Sequence, residues 1–153
     1  MQSIPYQLSQ GVVQALRDQF EPTGAIVRDN PTSKSALSAG DRILFVEDWE
    51  DGPIVQPNQA ERRTFALNIG VINRTADDRA GADADMVLAK EAASKGLLVT
   101  GRALKATGAL HTFAAPREGK RIYRVEGLDV GGALIVTRLE IDYVTPPVTT
   151  TRT

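Results

Sequence analysis

ERRTFALNIGVINRT, residues 61–75, alternates apolar side chains with polar or small ones at the two-residue period of a half-buried strand. Phe65, Leu67, Ile69 and Val71 form one set, and Thr64, Ala66, Asn68 and Gly70 the other. A long strand over 62–74 follows, with the first set turned to a core. Upstream, DRILFVEDWE (41–50) is rich in β-branched and aromatic residues and predicts a second strand closed by Asp51-Gly52-Pro53, with the segment to Asn58 an excursion. Downstream, KRIYRVEGLDVGGALIVTRLEIDYVTPP (120–147) predicts a hairpin. Its first strand lies near 121–126, its turn is at Gly131 and Gly132, and its long strand spans Ala133 to Val144. On that strand Ile135, Leu139, Ile141 and Tyr143 share a face.

Around these strands the period changes. In SQGVVQALRDQFEP (9–22), Val12, Val13, Leu16 and Phe20 recur on one helical face, Ser9 is a candidate cap, and Pro22 stops the run. Residues 23–40 read as loop, with DNPTSKS a turn cluster. ADDRAGADA reads as a small polar surface loop. DADMVLAKEAASKG predicts a second helix, acidic at its start, lysine-bearing at its end and terminated at Gly96. Gly101 and Gly108 interrupt LLVTGRALKATGALHTF, which favours short extended pieces. The whole order predicts an α+β domain, a largely antiparallel sheet with two helices packed on one face. One domain over 1–147 is expected, and VTTTRT, residues 148–153, reads as a flexible tail with no core to join.

Composition narrows function by exclusion. The formal net charge of −1 removes the usual electrostatic basis for gripping nucleic acid, which depends on many Lys and Arg contacts to phosphate. With no cysteine there are no disulfides, thiolate ligands or cysteine nucleophile, and a reducing compartment fits. No apolar run approaches the ~20 residues of a spanning helix, and MQSIPYQLSQ lacks the features of a secretory signal, so neither membrane nor export is expected.

Sites for chemistry fail their spacing tests. The single histidine, His111 in GALHTF, reads as a half-exposed strand residue. TADDRAGADAD begins like a calcium loop, but with Asp77 at position one, Arg79 stands at three, Ala82 at six and Leu88 at twelve, where oxygen, Gly and Glu are needed. GRALKATG lacks the order of a phosphate loop, and there is no G-x-S-x-G elbow. No catalytic residue, cofactor or metal is expected, and the chain reads as a protein that touches other proteins rather than as an enzyme.

SALSAGDRILFVED (35–48) has the cadence of a PDZ peptide-binding module. Such a module needs a carboxylate loop before the strand and a groove-walling helix soon after it. Here the long strand comes next and the helix too late, so GDRILFVED reads as a core strand. The order of GVVQALRDQF, TGAIVRDN, RILFVED, RRTFALNIGVINR, DADMVLAKEAA and ALIVTRLEIDYVTP instead resembles the tail terminator, or tail completion, proteins of long-tailed bacteriophages. That resemblance implies a small subunit, made in the host cytoplasm and located in the virion tail or neck. It implies a homo-hexameric ring on the head-proximal end of the tail tube, which stops tube growth and meets the head-tail connector or neck proteins, with DNA free to pass through. Another head-tail adaptor or neck protein is the neighbouring reading, and a PDZ-like peptide-binding module is the alternative from a different class. VTGRALKATGALHTFAAPREGK departs from the pattern.

A ring needs a head-to-tail contact between two different patches. Residues 41–61 carry Asp41, Glu47, Asp48, Glu50, Asp51 and Glu61 against Arg42 alone, whereas 101–124 carry Arg102, Lys105, Arg117, Lys120, Arg121 and Arg124 against Glu118 alone. The candidate subunit interface is therefore Glu47, Asp48, Trp49, Glu50 and Asp51 on one side, and Arg117, Lys120, Arg121 and Arg124 on the other. Solvated surface is the alternative account of both blocks.

Overall fold

The structure, a computed structural model, describes residues 2–31, 40–54, 61–124 and 132–146; the side chains of 48, 49, 53, 54 and 121–124 lie outside that description. Strand β3, Arg62–Asn73, pairs along its whole length with two neighbours. On one side is β2 (Arg42–Ile54) and on the other β6 (Ala133–Val144), both antiparallel to it. Beyond β2 lies a short parallel strand, β1 (Ile26–Asp29). Beyond β6 lie β4 (Thr112–Phe113) and β5 (Arg117–Arg124), which pair with successive parts of β6 and so make one interrupted edge. Among the described residues the result is a six-stranded, mostly antiparallel sheet.

Helices α1 (Ile4–Phe20) and α2 (Asp78–Ala106) cover one face of this sheet. The alternation predicted for β3 and β6 is observed: Phe65, Leu67, Ile69, Val71, Ile135, Leu139, Ile141 and Tyr143 are buried under the helices with Val12, Val13, Leu16 and Phe20. On the opposite face Ile43, Phe45 and Ile72 form a smaller apolar cluster with Ile26, Leu134 and Val136. Phe45 lies directly over Gly70, its partner in register, and any Cβ there would run into the ring.

Several expectations are corrected. The first helix starts at Ile4, not after Ser9: the Ser3 hydroxyl accepts from the Tyr6 N–H at 3.2 Å, and Pro5 is tolerated in the first turn, where its missing N–H costs nothing. Ser9 is internal and donates back to the Tyr6 carbonyl at 2.8 Å. The segment expected to be loop between 23 and 40 contains β1. Strand β2 does not close at Asp51-Gly52-Pro53 but runs on to Ile54, and β5 begins four residues before the expected 121.

The largest difference concerns α2, which takes in the expected loop from Asp78 and continues to Ala106. Gly96 does not terminate it. It sits where α1 crosses, and a Cβ there would lie 2.6 Å from the Gly11 carbonyl oxygen and 3.0 Å from Ala15. Gly101 similarly faces the ring of Phe113. The helix stops at Ala106, and Gly108 just beyond its cap supplies, with a φ of 83°, the left-handed turn that a side chain resists. The expected excursion at 55–58, the turn residue Gly131 and the tail at 148–153 lie outside the described residues.

Candidate functional site

The strand-borne parts of the two charge blocks fall on opposite flanks of the sheet. β1 pairs only with Ile43 to Val46, so β2 from Glu47 onward has no outer partner strand among the described residues. That open stretch carries Glu47, Asp48, Glu50 and Asp51. The other flank is β5, with Arg117, Lys120, Arg121 and Arg124. β3 and β6 lie between, which separates the two flanks by about 14 Å at ordinary strand spacing. Within one chain the blocks are thus brought to opposite borders of one surface.

A register shift between Glu47 and Glu50 inserts an extra residue into β2. Such a bulge reverses the phase of everything after it. Glu50 consequently stands in register with Ala66 and Glu140 on the helix-free face, and Asp51 with Phe65 and Ile141 on the helix-covered face. These two candidate interface residues therefore do different things. Asp51 accepts a hydrogen bond from the Tyr143 hydroxyl at 2.6 Å and is ion-paired with Arg63, which also bonds Glu61. Burial, then the neighbouring Asp51 carboxylate, pushes the Tyr143 phenol above its ordinary pKa. Asp51 serves the fold.

Glu50 belongs to a charge ladder on the helix-free face. Arg138, in register with Asn68, reaches diagonally over β3 to Glu50 and also donates from Nε to Glu140 at 2.9 Å. Arg117 in turn bonds Glu140 and Asp142, each at 2.8 Å, and Thr64 donates to Asp142 at 2.7 Å. Carboxylates and guanidiniums alternate from β2 to β5, so each charge is flanked by its opposite. Hydrogen bonding by Arg138 holds the Glu140 carboxyl below its usual pKa, and Arg117 does the same for Asp142. Two candidate interface residues, Glu50 and Arg117, are thereby linked through one chain's own side chains. The others are Glu47, half-buried; Lys120, exposed; and Asp48, Trp49, Arg121 and Arg124, whose side chains lie outside the described residues.

The sequence reading missed Arg138, Glu140 and Asp142, although the signal was present: in TRLEIDYV they alternate with Leu139, Ile141 and Tyr143. Arg63 and Asp85 were also missed. Asp85 is buried and takes both Arg42 nitrogens, Nε at 3.0 Å and a terminal nitrogen at 2.9 Å, with Asn73 alongside. This pair fastens α2 to the end of β2. Its contacts are all internal, so it reads as a fastening.

Two clefts remain. One, of about 290 Å³, opens beside the end of β6 between Arg62, Phe113 and Tyr143. The other, of about 410 Å³, runs between α2 and β5, with Leu139 as floor and the Lys90–Glu118 ion pair across it. His111 is exposed and sits in a bend just before β4 rather than in a strand; its backbone N–H donates to the Val144 carbonyl at 2.8 Å. No described group of three or more His, Cys, Asp or Glu is placed to hold a metal ion, and no described helix is long and apolar enough to cross a membrane. No protein-family model matches this sequence, and no curated protein sequence matches it.

Proposed function

We propose that this chain is a structural subunit that joins copies of itself head to tail into a closed ring, in the manner of a phage tail terminator. The observation that carries the reading is the placement of unlike charge on unlike borders: the acidic open stretch of β2 and the basic β5 flank one sheet. Borders of like charge repel one another and those of opposite charge attract, so the arrangement favours the heterologous contact from which rings close. The order of helices and strands that carries the resemblance in the sequence supports the same reading.

In this reading the partners are other copies of the chain, the end of a tail tube, and connector or neck proteins on the head side. DNA passes through without being gripped. The test is light-scattering mass of the purified protein alone and with isolated tail tubes. A single closed oligomer, or a ring that forms on tube ends and halts their growth, is expected. A monomer at every concentration that leaves tube growth unchanged contradicts the proposal.

A further inference from the structure

We infer that neighbouring copies join main chain to main chain, β5 of one pairing antiparallel with the open stretch of β2 of the next, so that the sheets run together around the assembly. The inference rests on the ring reading and adds to it the nature of the junction. Its first ground is direction. β2 runs antiparallel to β3, β3 to β6, and β6 to β5, so β2 and β5 point opposite ways. A cyclic operator keeps each strand's direction relative to the ring axis. The next copy therefore presents β2 antiparallel to β5, the geometry in which strands pair well.

Length is the second ground. β5 is eight residues, and the part of β2 beyond the reach of β1, from Glu47 to Ile54, is eight residues. Successive residues of a strand turn their N–H groups to opposite sides, so alternate residues of this stretch supply the outward donors, and Pro53 adds none. The third ground is charge. An unpaired edge is a template for any other edge, and proteins commonly block such pairing with charged residues. Here the block is selective. Pairing β5 with another β5 sets Arg117, Lys120, Arg121 and Arg124 against themselves, and pairing β2 with β2 sets carboxylates against carboxylates. Like charges opposite one another destabilise a pair of strands and opposite charges stabilise it. Only the unlike pairing escapes the repulsion. A second copy of the chain is thus the occupant that both edges fit.

Hydrogen–deuterium exchange, read by mass spectrometry on wild-type protein before and after assembly, tests this. Amides of 47–54 and 117–124 should slow by about a hundredfold in the assembly, since a newly paired edge amide exchanges only when the pairing opens, while central β3 changes little. The chain has no cysteine, which permits a second arm. Gly52→Cys, at a position where a Cβ meets nothing within 4 Å, combined with Lys120→Cys should give a ladder of covalent oligomers with a short bismaleimide. Neither single variant should be cross-linked. Assembly without slowing at either edge overturns strand joining and leaves the ring reading standing. Dimers from one single-cysteine variant show that like edges meet and overturn it also. A chain that never assembles, alone or on tubes, overturns both.

Discussion

Thr137 is the clearest case at the scale of single residues. It sits in register with Ile69 on the helix-covered face, fully buried, and its hydroxyl has no hydrogen-bond partner among the described residues. A buried hydroxyl without a partner loses its water without recompense. Thr137→Val, nearly the same shape, should therefore raise stability by about 1 kcal/mol in urea unfolding; a loss of that size would mean the hydroxyl is bonded. The ladder carboxylates make a second prediction. Glu140 and Asp142 have lowered pKa values because Arg138 and Arg117 bond their ionised forms. The unfolded chain then binds more protons than the folded one as pH falls through the usual carboxylate range, around 4. This contribution is complete above that range and is lost as pH falls through the lowered folded values. The urea midpoint should drop on acidification, and in Arg117→Gln it should drop less steeply. Identical pH slopes in the two proteins would remove Arg117 from the account.

Among the elements, α1 and α2 cross closely, with Gly11 and Gly96 backbone to backbone. Alanine is ordinarily the better helix former by about 1 kcal/mol. At Gly96 the sign should reverse, because the added carbon meets the Gly11 carbonyl, which is main chain and cannot swing aside. Gly96→Ala should cost roughly 1–3 kcal/mol, as overpacking does, measured by denaturant unfolding; a gain would show that the helices separate freely. The same glycine explains what the sequence left illegible. β3 and β6 could be read because one face is buried and the other is not, which imprints a two-residue period on RTFALNIGV and ALIVTRLEIDY. α2 could not be read past residue 96, because glycine there signals an end when judged locally and a close neighbour when judged in three dimensions. β1 escaped because only Val27 of its four residues is buried, leaving no alternation to see. The bulge at residues 48 and 49 escaped too, and with it the separation of Asp51 from Glu50. The acidic and basic blocks were visible as blocks, but their partners, Arg63, Arg138, Glu140 and Asp142, come from strands distant in sequence.

Across the whole molecule, one sheet carries acid on one border and base on the other, and the central claim is that these borders meet between copies. Asp51 is unsuitable for testing it, since its reversal would disturb Tyr143 and Arg63. Asp48 and Glu50 are the better pair: Glu50 is largely exposed, and its bond to Arg138 is the kind of surface pair worth about 0–1 kcal/mol. Asp48→Lys with Glu50→Lys should weaken assembly while leaving the monomer folded, and so should Arg121→Glu with Arg124→Glu. The wild-type contact should itself weaken from low to physiological salt, where the Debye length falls to about 8 Å. The most direct measurement is light-scattering mass of the wild type, each one-sided reversal and the two reversals combined in one chain. Loss of the ring in each one-sided variant and its return in the combination is the predicted result; equal assembly in all four proteins would contradict the claim and make both borders ordinary solvated surface.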